Sequence, residues 1–148
     1  MQLMNNSLNK IRSGTTLLVV AYWLALLTAT HLPHVPAAFA SPGADKWEHL
    51  CSYGMLAFLL AGRRSLWQPV NSQGFFRIAL IVASYGVFDE LTQPFFGRHA
   101  DVADWFADVL GCVIGLAAFA IVQAVFVRSV KPSPVAVNQN SRSPNGLP

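Results

Sequence analysis

DWFADVLGCVIGLAAFAIVQAVFV, residues 104–127, decides how this chain of 148 residues is read. Between Asp108 and Arg128 no charged residue interrupts the apolar run. A run of about 18 or more such residues is long enough to cross the hydrocarbon core of a bilayer. Lipid offers no partner to an open N–H or C=O, so a spanning segment must be a helix or a closed barrel strand. The run lacks the ten-residue alternation of a barrel strand, and it predicts a helix.

Three more runs upstream read the same way: Gly14–Thr30, Trp47–Ala61 and Phe75–Gln93. The second is short and is expected to begin near Asp45. The whole chain is 53% hydrophobic and only 11% charged, where soluble domains carry about 25% charge. The expected fold is therefore an all-α integral membrane protein with four transmembrane helices. Residues 1–13 form an N-terminal segment, 14–128 the membrane domain, and 129–148 a tail rich in Ser, Pro and Asn that is expected to be disordered.

Orientation follows from the cations. With the N-terminus inside, Lys10, Arg12, Arg63, Arg64, Arg77, Arg128, Lys131 and Arg142 are cytoplasmic, and only Lys46 and Arg98 lie outside. That bias places both termini in the cytoplasm of a bacterial cell, with a multi-pass chain in its cytoplasmic membrane. The net charge of +3 is then a consequence of topology, and no nucleic-acid partner is expected. Lys10 and Arg12, an apolar stretch, and Ala38, Phe39 and Ala40 before Ser41 also resemble a cleavable signal peptide. The long segment before Ala40, with its two prolines and two histidines, argues against cleavage.

Every acid in the chain, Asp45, Glu48, Asp89, Glu90, Asp101, Asp104 and Asp108, falls at or near the outer face, and so do His31, His34, His49 and His99. Positions four apart share a helix face. Asp45, His49 and Tyr53 form one stripe, Tyr85, Asp89 and Gln93 a second, and Asp104, Asp108 and Cys112 a third. Polar stripes avoid lipid, so the three should meet in an outward-facing polar cleft. Asp89 and Glu90 are adjacent, point about 100° apart and need not share a role. Gly111 and Gly115 form a GxxxG motif that would let another helix close the floor. Pro94 ends the third helix and Gly97 permits the turn before Arg98. Phe95, Phe96 and Trp105 are expected at the membrane interface. Cys51 and Cys112 read as buried packing residues with no disulfide.

Several chemistries fit such a cleft. His49 can exchange a proton near neutral pH if an acid orients it. Asp104 and Asp108, on one face, would provide an acid beside a carboxylate. Arg98 and Lys46 would hold an anionic group such as a lipid phosphate. The alternative is a structural network in which the same residues pair and lock the helices. His31 and His34 flank Pro33 in an expected outer loop. No spacing specifies a metal, and neither a metal nor another cofactor is expected. A transporter is disfavoured, because the inner half holds no acid or histidine to complete a pathway.

Asp45, Lys46, His49 and Tyr53, then Asp89, Glu90, Gln93, Phe95 and Arg98, then Asp101, Asp104, Gly111 and Gly115, resemble the VanZ-like family over roughly residues 15–127. One position departs from the family pattern, with Asp108 where Asn is expected. The resemblance implies a small polytopic membrane protein of a family named for a link to resistance to the glycopeptide teicoplanin, and proposed to belong with enzymes acting on lipid headgroups. It implies a partner among membrane lipids or lipid-linked cell-wall precursors. On that reading His49, Asp89, Glu90 and Asp104 are the catalytic candidates, with His49 as base or nucleophile. Lys46, Tyr53, Gln93, Arg98, Asp101 and Asp108 bind the headgroup. The competing reading is a non-catalytic binding or accessory protein built on the same residues.

Overall fold

The computed structural model describes residues 2–32 and 43–130. They form four helices: α1 (Gln2–His31), α2 (Ala44–Ser65), α3 (Ser72–Thr92) and α4 (Val102–Val130), with a 3-10 turn over Gln93–Phe96 between the last two. Contacts between ends give an up-and-down bundle. Arg12 near the start of α1 donates to Leu66 O just beyond α2 (3.2 Å), and Tyr22 OH higher on α1 donates to Ser52 O (3.0 Å). All four expected helices are present. α3 ends at Thr92, one residue short of the expected Gln93, and each helix begins ahead of its apolar run. α1 does so most, beginning at Gln2 where the apolar run begins only at Gly14. Its 30 residues are about 45 Å long. His31 is consequently the last residue of α1 and not part of a loop. The disorder expected from residue 131 onward, the cleavage question at Ala40, and His34 lie outside the described residues.

The largest interface is between α2 and α4, followed by α3 against α4. Glycine makes the first of these possible. A methyl on Gly111 would land in the carbonyl of Leu50, and one on Gly115 in the carbonyl of Gly54. On α2, a methyl on Gly54 would stand 2.9 Å from Gly111 O. The GxxxG pair therefore seats α4 directly on the backbone of α2. Below it the core is filled by Leu56, Val82, Leu116 and Phe119. Cys112 is buried as expected, whereas Cys51 is exposed on the outer face of α2, and both thiols are free.

The end of the bundle remote from the acids is held by cations over an aromatic ring. The Arg63 guanidinium lies 3.8 Å from the Trp67 ring centroid and Arg12 4.8 Å, while Gln123 on α4 bonds Val70 N (2.7 Å) and O (3.0 Å). α3 then starts on a side-chain cap, with Asn71 accepting from Gly74 N (2.9 Å). Asn71→Ala leaves that N–H to solvent and should lower stability by ~1 kcal/mol, read as a shift of thermal unfolding in detergent.

The surface is apolar and the interior partly charged. Leu17, Phe76, Leu91, Ile121 and Phe126 are each about two-thirds exposed, while Asp89, Gln93 and Asp108 are completely buried. Water penalises an apolar surface of that extent, whereas lipid accommodates it. Among the described residues two helices are long and apolar enough to cross a membrane, Met4–His31 and Val102–Val127. α2 and α3 fall short because their ends carry the charges: Asp45, Lys46, Glu48, Arg63 and Arg64 on α2, and Arg77, Asp89 and Glu90 on α3.

Candidate functional site

The three polar stripes meet at one end of the bundle, where α1 and α3 finish and α2 and α4 begin. His49 on α2 and Asp108 on α4 form a buried pair, with Nδ1 and Oδ1 2.8 Å apart. An ionised carboxylate can only accept, which puts the imidazole proton on Nδ1 and leaves Nε2 as the basic nitrogen. His49 stacks on Tyr53 (ring centroids 6.0 Å apart), Tyr53 on Tyr85 (5.6 Å), and Trp23 of α1 meets Tyr85 edge-on (5.2 Å). This aromatic row is the floor. The Tyr53 and Tyr85 hydroxyls in it are buried without a hydrogen-bond partner.

Asp89 and Glu90 do point apart, as their spacing predicts. Asp89 accepts from Thr30 Oγ1 (2.7 Å) on α1, and Glu90 accepts from the backbone N–H of Asp101 (2.8 Å). Gln93 spans them through long contacts from Nε2, 3.4 Å to Asp89 and 3.3 Å to Glu90. Glu90, His49 and Asp108 draw together so that one ligand atom from each lies within 4.8 Å of the others. Of the sequence-predicted residues, His49, Tyr53, Asp89, Glu90, Gln93 and Asp108 thus form one buried cluster.

Lys46, Asp101 and Asp104 form a separate clasp above it. The ammonium lies 3.1 Å from Asp101, 3.1 Å from Asp104 and 3.4 Å from Asp45. Asp101, which receives the backbone N–H of Ala103 and then the Lys46 ammonium, has its carboxyl held below the usual range. The hydrogen bonds to Asp101 and Asp104 push the Lys46 pKa above its ordinary value. Asp104 and Asp108 share a face yet do not share a proton site, because Asp104 pairs with Lys46 and Asp108 with His49.

Arg98 is positioned by the turn. Gly97 takes the left-handed conformation (φ 76°) that only glycine adopts easily, and Arg98 N–H donates to Gln93 O (3.3 Å). The guanidinium reaches across to the C-terminus of α1, donating to Thr30 O (2.8 Å). It also lines a cavity of about 240 Å³ with Leu26, Ala29, Thr30, Glu48, His49 and Ser52. Nearby, Phe95 is 84% exposed, while Trp105 turns inward and donates from its indole to Ala83 O (3.2 Å).

The contribution of α1 is what the sequence did not reveal. Thr30 binds Asp89 and, through its carbonyl, Arg98. His31 bonds Thr92 Oγ1 through Nε2 (2.9 Å) and Leu27 O through Nδ1 (2.8 Å). The available signal was their position at the end of the first apolar run, level with the acids of the other helices.

A family model described as VanZ/LLP1 matches residues 3–123. No curated protein matches the chain, and no solved structure does.

Proposed function

The chain belongs to the VanZ/LLP1 family, and from that premise we propose that it is a four-span membrane protein of the bacterial envelope that binds an anionic, lipid-linked headgroup in an outward-facing cleft and acts on it through His49. The observation that carries this reading is the buried His49–Asp108 pair beside a cavity that also presents Arg98 and Ser52.

A carboxylate on Nδ1 orients an imidazole and stabilises its protonated form, so that Nε2 can take a proton from water or a hydroxyl. The nucleophile so formed would attack a phosphorus or ester carbon, and the leaving oxygen would receive the proton back. Arg98 is the cation best placed for the headgroup, since one of its nitrogens already faces a carbonyl at the cavity wall. Lys46 is opposed by three carboxylates, and its part is to hold α2 against α4 at the cavity rim. Asp89, Glu90 and Gln93 keep the neighbouring helix ends in register, with Tyr53 beneath.

Four spans with both termini inside fit the cation bias, and they put the cleft at headgroup depth on the outer side. A link to glycopeptide resistance would follow if the headgroup belongs to a cell-wall precursor. The second reading, a non-catalytic binder or helix-locking network, is favoured by one fact: most of the polar groups already have protein partners.

The two separate in vesicles that contain phospholipids and polyprenyl-linked precursors. Mass spectrometry of the lipids should reveal a headgroup released or exchanged by the parent and at least 100-fold less product with His49→Gln. Arg98→Gln should weaken lipid binding more than it slows turnover. Absence of any product, with binding lost in Arg98→Gln, would leave only the binding protein.

A further inference from the structure

We propose that His49, Glu90 and Asp108 form a binding site for a divalent cation of the zinc or manganese class, with the Gln93 amide oxygen as a fourth neighbour. No ligand spacing in the sequence specifies such a site, because its three residues come from three different helices. The fold brings them together: one ligand atom from each lies within 4.8 Å of the other two, and all three side chains are buried. Ligand atoms on opposite sides of one ion stand at most about 4.4 Å apart at ordinary metal–ligand lengths. Small side-chain movements would close the set.

Two further observations point to a ligand. The first is unsatisfied atoms. Asp108 Oδ2 and Gln93 Oε1 belong to completely buried residues and have no hydrogen-bond partner. Gln93 Nε2 is spent on Asp89 and Glu90, so the orphaned amide oxygen belongs to a side chain that borders the trio. An acceptor buried without a donor is destabilising, and a cation satisfies such acceptors where another carboxylate cannot. Gly86 makes room for the Asp108 carboxylate itself, since a methyl there would stand 2.8 Å from Oδ2.

The second is charge. Asp89, Glu90 and Asp108 are buried together, and among the described residues no Lys or Arg forms an ion pair with any of them. Lys46 is engaged by Asp45, Asp101 and Asp104, and Arg98 by Thr30 O. The basic groups that face the buried acids are His49 at 2.8 Å from Asp108 and His31 at 3.6 Å from Asp89. Buried charge is kept only where it is paired or coordinates a metal. One imidazole nitrogen with carboxylate and amide oxygens suits zinc or manganese, and offers no thiolate for softer ions.

The site does not rest on the headgroup reading, because it is measured without lipid. Full-length protein in detergent would be stripped with chelator, loaded with zinc or manganese chloride, desalted and analysed for metal. Stoichiometric retention is expected, with thermal unfolding raised by several degrees. Glu90→Gln and Asp108→Asn should each lower retention at least tenfold. Those variants sit in the core, so the parent carries an independent test: bound manganese should show nitrogen coupling from a single imidazole in its electron spin-echo spectrum. Failure of the parent to retain either metal, with unfolding unchanged, overturns the proposal. So does a bound ion without imidazole coupling. Either failure leaves His49 free for the headgroup reading, which the lipid assay decides, whereas an ion bound to its imidazole would take the nitrogen that reading uses as the base.

Discussion

Gly115→Ala should be among the most damaging single substitutions in the protein, and Gly111→Ala should be nearly as severe. Each adds one methyl group, and in each case that methyl would lie inside a backbone carbonyl of α2, Gly54 O for the first and Leu50 O for the second. A side chain could rotate away from such a clash, but a carbonyl in the middle of a helix cannot. The helices must instead separate, and separation opens the interface on which His49 and Asp108 meet. Ordinary overpacking costs about 1–3 kcal/mol. A clash with rigid backbone should exceed ~3 kcal/mol. Gly62 on α2 is the internal comparison, because a methyl there meets only the edge of Phe119 at 3.8 Å. Thermal unfolding in detergent should rank Gly62→Ala near the parent and both α4 variants far below it. A Gly115→Ala protein as stable as the parent would mean that α2 and α4 do not pack on their backbones.

Removing His49 alone should cost more than removing the whole pair. In His49→Ala, Asp108 loses the partner of Oδ1 while Oδ2 already has none. A completely buried carboxylate is then left without a donor. Breaking a buried pair from one side typically costs about 3–5 kcal/mol, while replacing both partners by apolar groups can be close to neutral. The double variant His49→Ala/Asp108→Ala should therefore recover ~2 kcal/mol or more relative to His49→Ala, less the cavity left by the lost side chains. A double-mutant cycle by thermal or denaturant unfolding measures the coupling. Independent, additive losses would show that the pair contributes nothing as a pair. The same cycle bears on function. A histidine retained only for stability is dispensable in the double variant, whereas a catalytic one is not, so recovered stability without recovered turnover would separate the two roles.

Local pattern carried most of the fold. Each apolar run became a helix because an uninterrupted run of this composition has few other ways to satisfy its backbone, and Asn71, Pro94 and Gly97 set boundaries near the ends of α3. The three stripes were equally legible, since a spacing of four on any helix keeps His49 above Tyr53 and Asp89 above Tyr85. The glycine pair announced a close approach. What the runs understated was length: α1 continues to Gln2 through a mixed segment in which Leu3, Met4, Leu8 and Ile11 alternate with polar residues and no Pro or Gly breaks the helix.

Partnership was the part that no spacing contained. Asp45 is one turn from His49 on the same stripe, yet it is Asp108, 59 positions away, that holds the imidazole. Lys46 reaches Asp101 and Asp104 on the far side of the α3–α4 turn. Thr30 and His31 enter the site only because α1 ends level with α3, and that level is set by how the helices stack. The sequence by itself determined four helices, a stripe on each of three, and the helix ends at which their charges lie, because helix periodicity and the insolubility of charge in apolar surroundings are local constraints. Only the tertiary structure decided which acid meets which base, and which acids meet none. Burial removes water as the default partner, and each buried charge must then be answered by whatever neighbour the packing supplies.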